Sequence, residues 1–254
     1  MYTLPLSAGQ KVYFASDFHL GAPDAARSRE REQTIVRWLD VVSADAAAIF
    51  LVGDLFDFWY EYRRVVPRGH VRFLGKLAEL TDGGLDVRVF TGNHDMWMRD
   101  YFPDELGVKV YRQPRAFQMG DRRVLVAHGD GLGPGDQTYK VLKRLFKHPL
   151  SRCLFGSMHP DWGIAVADAW SRHSRANQPE EERGFMADGE CLLQYCRAVE
   201  VERHHDYYVF GHRHLPLDLP VGERSRYVNL GEWISARTYG AFDGAALTLK
   251  TFEG

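Results

Sequence analysis

Short apolar runs recur along the chain, and each is predicted to be a buried strand because its length and its content of Val, Ile, Phe and Tyr favour strands over helices. The runs are Val12–Ala15, Ala48–Val52, Val87–Phe90, Val124–Ala127, Tyr207–Phe210, Tyr227–Asn229 and Ala246–Leu249. Apolar residues at helical spacing separate the first three runs, within Ser28–Ser43 and Val71–Leu80. This alternation predicts an α/β layered fold. The last runs follow one another without a helix, which predicts a mixed or antiparallel part of the sheet.

The stretch from residue 134 to residue 203 breaks this rhythm because it contains no strand-like run. Helices are predicted there at Asp136–Lys147, at about Ile164–Ala176 and at about Glu182–His204. Strand-like runs resume after it. We therefore interpret the stretch as a helical insertion, a lid, within a single domain that spans residues 1–254.

Composition narrows the class of protein. The chain has 32 Lys and Arg against 34 Asp and Glu, a formal net charge of −2, which argues against a global electrostatic hold on nucleic acid. Its three cysteines form no C-x-x-C pair and fit a reducing compartment. No apolar run approaches the ~20 residues that span a bilayer. Because no secretory signal is visible at the N-terminus, we expect a cytoplasmic protein, and no obligate protein partner is evident.

Polar residues directly follow five of the predicted strands. In open α/β sheets the carboxyl ends of strands are where ligands bind, so these residues are expected to converge. They supply oxygen and imidazole groups without a thiolate, a donor set that predicts a metal site. A carboxylate such as Asp54 can bridge two cations, with one oxygen for each. The segments are S-D-F-H at 16–19, G-D-L-F-D at 53–57, T-G-N-H-D at 91–95, H-G-D at 128–130 and G-H-R-H at 211–214.

These segments resemble the motif set of the calcineurin-like metallophosphoesterases, from Val12 to Trp233. The resemblance implies a four-layer α/β/β/α sandwich, two divalent metal ions and attack of metal-bound hydroxide on phosphorus. It also implies that His94 is a catalytic histidine outside the metal shell. By position in the motifs, the first implied metal site comprises Asp17, His19, Asp54 and His214. The second implied site comprises Asp54, Asn93, His128 and His212.

The order of segments around the insertion resembles one branch of that family, the UDP-2,3-diacylglucosamine pyrophosphatases (hydrolases) of lipid A biosynthesis. This resemblance implies cleavage of a lipid-linked nucleotide sugar to lipid X and UMP, with Mn²⁺, at the cytoplasmic face of the inner membrane. The chain departs from the enterobacterial members of the branch by carrying His94 where their motif reads G-N-R-D. The implied substrate-binding residues are Asn93, His94, Asp136, Tyr139, Ser174, Arg175 and His212.

The first helix of the insertion is basic on one side and apolar on another. Leu142, Leu145 and Phe146 form part of the apolar side. Such a helix is typical of an element that lies on an anionic membrane surface, and equally of a helix packed on the body with a solvated basic face. Both interpretations stay open. The basic residues, with no acid among them between Gln137 and Arg152, are Lys140, Lys143, Arg144, Lys147 and Arg152.

Two other functions stay open beside the lipid-linked substrate. One is a metallophosphoesterase that acts on another nucleotide or phosphodiester. The other is a catalytically silent scaffold that binds a protein. A scaffold would be expected to have lost ligands, whereas all seven implied metal ligands are present here. A hydrolase of small soluble esters has no need of a basic and apolar helical lid, so the lid favours the lipid-linked substrate.

Overall fold

The computed structural model describes residues 2–135, 137–176 and 184–254. The strands within these residues are β1 (Tyr2–Leu4), β2 (Lys11–Ala15), β3 (Ala46–Val52), β4 (Asp86–Phe90), β5 (Lys109–Tyr111), β6 (Arg115–Met119), β7 (Arg122–Val126), β8 (Tyr207–Phe210), β9 (Pro216–Val221), β10 (Ser225–Leu230), β11 (Thr238–Phe242) and β12 (Leu247–Thr251). The α-helices are α1 (Ala25–Ser43), α2 (Val71–Asp82), α3 (Tyr101–Leu106), α4 (Gln137–Lys147), α5 (Pro149–Gly156), α6 (Pro160–Ala176) and α7 (Cys191–Glu202).

The strands form two six-stranded mixed sheets. One has the order β12-β11-β2-β3-β4-β5 and the other the order β1-β6-β7-β8-β10-β9. Strands β2 to β5 run parallel to one another, and β7 and β8 are parallel in the second sheet. The carboxyl ends of β2, β3 and β4 therefore meet at one edge of their sheet.

Three apolar layers hold the sheets and helices together. Between the sheets, the Phe50 ring stacks on Phe14 at a centroid distance of 5.1 Å and meets Phe117 edge-on at 5.0 Å. A second layer packs α1 and α2 on the outer face of the β2–β5 sheet, where Trp38 is fully buried. A third layer packs α7 against the other sheet through Cys196 and its neighbours. The order is α/β/β/α, which confirms the predicted sandwich.

The predicted insertion contains two kinds of helix. Helix α7 buries Leu192, Leu193 and Cys196 and forms the outer layer of the sandwich. Helices α4 and α5, by contrast, bury none of their residues. The prediction of a helix over Glu182–His204 also differs from the structure at its start, because α7 begins at Cys191 and residues 182 and 183 lie outside the described residues. The bounds of the insertion and the single-domain organisation stay predictions.

The α4–α6 part of the lid contacts the body through aromatic side chains. The Phe155 ring on α5 lies 4.7 Å from Tyr60 and 4.9 Å from Trp97 between centroids. The Tyr60 hydroxyl donates to the Arg152 carbonyl at 2.7 Å, and the Trp97 indole donates to the Phe146 carbonyl at 3.0 Å. None of the helices in the described part of the chain combines the length and apolar character needed to cross a bilayer.

Candidate metal centre

The structure brings six of the seven predicted metal ligands, together with His94, into three linked groups. Within each group the potential ligand atoms lie within 4.8 Å of one another. His19 belongs to the first two groups and Asp54 to the last two, so the groups form one continuous cluster. The groups are Asp17 with His19 and His214, His19 with Asp54 and His94, and Asp54 with His128 and His212. The seventh predicted ligand, Asn93, has its Oδ1 at 3.3 Å from Nε2 of His128.

Asp17 is fully buried and divides its two oxygens between the backbone and the cluster. Its Oδ2 accepts a hydrogen bond from the backbone N–H of His212 at 2.9 Å and another from the Ser16 hydroxyl. Its Oδ1 lies 3.1 Å from Nε2 of His214 and 3.8 Å from Nε2 of His19. The two imidazole nitrogens are 3.1 Å apart. Three potential ligand atoms thus face a common point.

Asp54 lies at the centre of the cluster. Its Oδ1 accepts a hydrogen bond from the backbone N–H of His94 at 2.9 Å. Its Oδ2 lies 3.3 Å from Nε2 of His128 and 3.9 Å from Nε2 of His19. A single oxygen therefore faces both ends of the cluster. This differs in detail from a bridge with one oxygen for each cation.

Two of the imidazoles are oriented by backbone carbonyls. The Nδ1–H of His128 donates to the Val52 carbonyl at 2.8 Å, and that of His94 donates to the Asp57 carbonyl at 2.8 Å. A metal-binding histidine characteristically donates its other ring N–H in this way, which fixes the ring and its tautomer. Nε2 is consequently the nitrogen that each of these rings offers to the site.

The backbone at the strand ends adopts the left-handed conformation at five of the predicted ligands. Non-glycine residues rarely adopt it, and such strain costs about 1–3 kcal/mol per residue and concentrates at functional sites. A side chain at Gly53, which also has positive φ, would place its Cβ 2.6 Å from Nδ1 of His128. The chain thus turns sharply to direct nearby side chains into one site. The five φ angles are 56° at Asp17, 44° at His19, 51° at Asp54, 70° at His212 and 54° at His214.

The buried charges are balanced by imidazoles. Burial alone would raise the pKa of Asp17, but the neighbouring His214 and His19 hold this pKa well below its ordinary value. Burial opposes the charged form of His19 as well, yet its contacts with the surrounding carboxylates raise its pKa to about 9. The pKa of His128 is also raised well above its ordinary value, against burial, because Asp54 is adjacent. Burial and the charge of His128 lower the pKa of His212 to about 4.

The residues fit a pair of divalent cations. One buried oxygen that faces the cluster, Asp17 Oδ1, has no hydrogen-bond partner among the described residues, whereas the unpaired Nδ1 of His19 faces Asp57 Oδ1 at 3.8 Å and not the cluster. Buried polar atoms are normally paired, so this pattern calls for another partner. Carboxylate, amide and imidazole donors suit divalent cations such as Mn²⁺, Fe²⁺ and Zn²⁺. The donor set and the unpaired Asp17 oxygen thus agree with the metal chemistry that the motifs imply.

Asp95 is the last residue of the T-G-N-H-D segment and connects this segment to the G-D-L-F-D segment at residues 53–57. Its carboxylate is fully buried and accepts hydrogen bonds from the backbone N–H groups of Gly92 at 2.6 Å and Leu55 at 2.8 Å. Burial, together with the charge of Asp54, raises the pKa of Asp95 to about 7. Asp95 therefore positions the loops that carry Asn93 and Asp54. In the sequence, Asp95 is apparent only as the last residue of the T-G-N-H-D motif.

Of the predicted substrate-binding residues of the lid, the structure describes the side chain of Tyr139 only. Tyr139 donates its hydroxyl to Asp130 Oδ2 at 2.6 Å, which links α4 to the H-G-D segment. Asp136 lies outside the described residues. Ser174 and Arg175 lie on α6, but their side chains are outside the described part of the chain.

Helix α6 reaches the cluster through a residue that the sequence analysis missed. Ser171 is buried, and its Oγ is 3.4 Å from Nδ1 of His94. The resemblance at Ser174 and Arg175 pointed to this helix, but it did not mark Ser171 itself.

The basic residues of α4 face a cavity. Lys140, Lys143, Arg144 and Lys147 recur at helical spacing and line a cavity of about 580 Å³ that His128 also lines. The large apolar side chains of the α4–α6 part that are exposed, with 56–70% of their surface accessible, are Val141, Leu145, Leu150, Leu154, Trp162 and Val166. The basic side chains of α4 therefore line the cavity, and the exposed apolar side chains of the α4–α6 part lie on its outer surface.

Comparison with known proteins identifies the family. The calcineurin-like phosphoesterase family matches residues 10–216, and the chain belongs to this family. Membership implies bound divalent metal ions and makes the chain a hydrolase of the phosphoesterase class.

Three curated relatives match almost end to end. A protein named UDP-2,3-diacylglucosamine hydrolase from Porphyromonas gingivalis strain W83 is 37% identical over 256 residues, which cover 96% of this chain and 98% of the relative. Proteins of the same name from Ectopseudomonas mendocina and Stenotrophomonas maltophilia are 27% and 28% identical, and the matches cover 95% and 94% of this chain and 98% of each relative.

Proposed function

We propose that this chain hydrolyses the pyrophosphate bond of UDP-2,3-diacylglucosamine to lipid X and UMP, with two Mn²⁺ ions. The names of near full-length relatives support this substrate. The observation that carries the proposal is the setting of the ligand cluster, which adjoins a cationic cavity beneath a lid with an exposed apolar surface. A substrate with a diphosphate and two acyl chains matches this pair of features, because the diphosphate suits the cationic cavity and the acyl chains suit the apolar surface of the lid.

The proposed metal ligands are the residues of the two implied sites. Asp17, His19 and His214 would hold one ion and His128, His212 and Asn93 the other, and Asp54, whose Oδ2 lies near His19 and His128, would serve both. When bound, two divalent ions stabilise the charge of the phosphoryl group and lower the pKa of a water molecule. The carboxylate and imidazole donors are compatible with Mn²⁺, the proposed native ion.

His94 is the proposed proton donor to the departing oxygen. Its Nδ1–H is engaged by the Asp57 carbonyl at 2.8 Å, which leaves Nε2 for the substrate. Burial lowers the pKa of His94, while the charge of Asp54 opposes this shift. A diphosphate beside the ring adds negative charge and favours the protonated form. Ser171, 3.4 Å from the same Nδ1, restricts the orientation of the ring.

The lid is proposed to dock on the cytoplasmic face of the inner membrane as a peripheral element. Its exposed Leu150, Leu154 and Trp162 supply apolar contact with lipid. The lysines of α4 line the cavity, so apolar burial and not lysine charge is the main proposed source of affinity. An exposed apolar surface on the lid would meet the acyl chains of a substrate that resides in the membrane.

The substrate is tested with purified protein, Mn²⁺, UDP-2,3-diacylglucosamine and an aryl phosphodiester. We expect release of UMP and lipid X, with a kcat/KM for the lipid-linked substrate at least about a hundredfold above that for the aryl ester, because only the former occupies the cavity and the lid. Substitution of Asp54 by Ala is the inactive control. Equal efficiency on both compounds, or none on the lipid-linked one, would assign the chain to another phosphoesterase substrate.

His94→Ala is expected to lower kcat about 10²–10⁴-fold, the usual contribution of a positioned proton donor. Because His94 is not a proposed ligand, the variant should retain its metal, as measured by elemental analysis. His159→Ala, at an exposed histidine of the lid, is the matched control and should behave as wild type. Loss of metal together with activity would show that His94 is a ligand.

Leu150→Ser combined with Leu154→Ser is expected to weaken binding to phosphatidylglycerol-containing vesicles at least about tenfold. Each leucine is more than 60% exposed, and full burial of a leucine is worth ~1.5–3 kcal/mol. The KM for the lipid-linked substrate should rise, and hydrolysis of the aryl ester should not change. Val41→Ser, at an equally exposed valine of α1, is the control. Vesicle co-sedimentation equal to wild type would rule out docking through this surface.

A further inference from the structure

Among the described residues that line the cavity beside the metal centre, cations outnumber carboxylates. Asp130 is the acidic residue among those that line the cavity, and Lys143 already pairs with it at 2.5 Å. Lys140 donates to the Gly133 carbonyl at 2.5 Å, and Arg112 donates to backbone carbonyls at 2.9 and 3.0 Å. Hydrogen bonds to neutral carbonyls leave both charges in place.

Two further cations of the cavity have no side-chain partner within the described part of the chain. Neither Lys147 nor Arg144 makes a hydrogen bond or ion pair through its side chain with any residue that the structure describes. Burial lowers the pKa of Lys147, and the charge of Lys143 acts in the same direction. A bound anion would relieve both effects. The cavity is therefore built to receive negative charge.

The position of the cavity limits which anion it receives. His128 lines it, and Nε2 of that residue is 3.3 Å from Asp54 Oδ2, so the cavity adjoins the site of bond cleavage. On α4, Lys140 and Lys147 are seven residues apart on the face toward the cavity, whereas Val141 and Leu145 are exposed on another face. The exposed apolar side chains of α4 thus lie on a different face from its cavity-lining lysines, and the cavity itself suits a polar, phosphate-bearing group.

We infer that this cavity binds the nucleoside monophosphate half of the substrate, with Lys147 and Arg144 in contact with its phosphate. The inference rests on the proposed function, since that reaction releases a nucleotide. The volume of about 580 Å³ lies within the ~300–1,000 Å³ range of small-molecule sites. Lys147 and Arg144 are thereby specificity-determining residues: they favour a group that carries a phosphate over the bare nucleoside.

The test measures binding of UMP, uridine and inorganic phosphate to the Mn²⁺-loaded protein by calorimetry. We expect UMP to bind more tightly than uridine or phosphate, because the cavity holds both parts of the nucleotide. Lys147→Met keeps the length of the side chain and removes its charge, and it should weaken UMP binding about tenfold or more while uridine binding stays unchanged. Arg144→Met, at an exposed position, should weaken UMP binding in the same direction.

Lys250→Met, at an exposed lysine of β12, is the matched control and should bind UMP as wild type does. UMP affinity unchanged in Lys147→Met and Arg144→Met would overturn the inference, because the phosphate would then be held by the metal centre alone. Binding of phosphatidylglycerol vesicles, and not of UMP, that depends on Lys147 would also overturn it in favour of a lipid headgroup. Absence of hydrolysis of UDP-2,3-diacylglucosamine would count against the proposed function, whereas hydrolysis with Lys147-independent UMP binding would count against this inference alone.

Discussion

The arrangement of this protein depends on two carboxylates, Asp17 and Asp54, that are held away from water at the ends of β2 and β3. A buried charge is tolerated only where opposite charge and hydrogen bonds compensate it. One oxygen of each carboxylate accepts a backbone N–H, and the other faces imidazoles from three separate segments. That requirement accounts for the raised pKa values of His19 and His128 and for a strained backbone at the strand ends. The packed sandwich behind the strands holds this geometry, and divalent cations would supply the missing positive charge.

The lid adds two different surfaces near this centre, one cationic and one apolar. Helix α4 directs its cations to the cavity beside His128, while large apolar residues of α4, α5 and α6 are exposed on the surface of the lid. Few buried contacts secure the α4–α6 part, and the aromatic contacts of Phe155 with Tyr60 and Trp97 join it to the body. A lid with few buried contacts, a cationic face and an apolar face suits a substrate that is charged at one end and apolar at the other.

Much of this arrangement is predictable from the sequence, because the strands that carry site residues are continuous apolar runs buried on both faces. Strand β9 was missed since its burial alternates and it contains two prolines, as edge strands can. The metal ligands were predictable because each lies within a few residues of a strand end. The position of Arg112 in the cavity was not predictable, because this residue reaches the cavity only where the β5–β6 connection packs beside α4. The basic pattern of α4 likewise could not reveal which surface its lysines face.

The most direct measurement is a calorimetric titration of the metal-free protein with Mn²⁺ at pH 7.5, repeated in buffers of different ionisation enthalpy. The account predicts two ions per chain and a net release of protons, because His19, with a pKa of about 9, and His128 must lose protons to bind metal. Binding should weaken as the pH falls. Asp54→Ala should lose both ions, whereas Asp121→Ala, at an exposed turn, should bind as wild type does. A single ion, no proton release, or two ions retained by Asp54→Ala would contradict a dinuclear centre organised by Asp54.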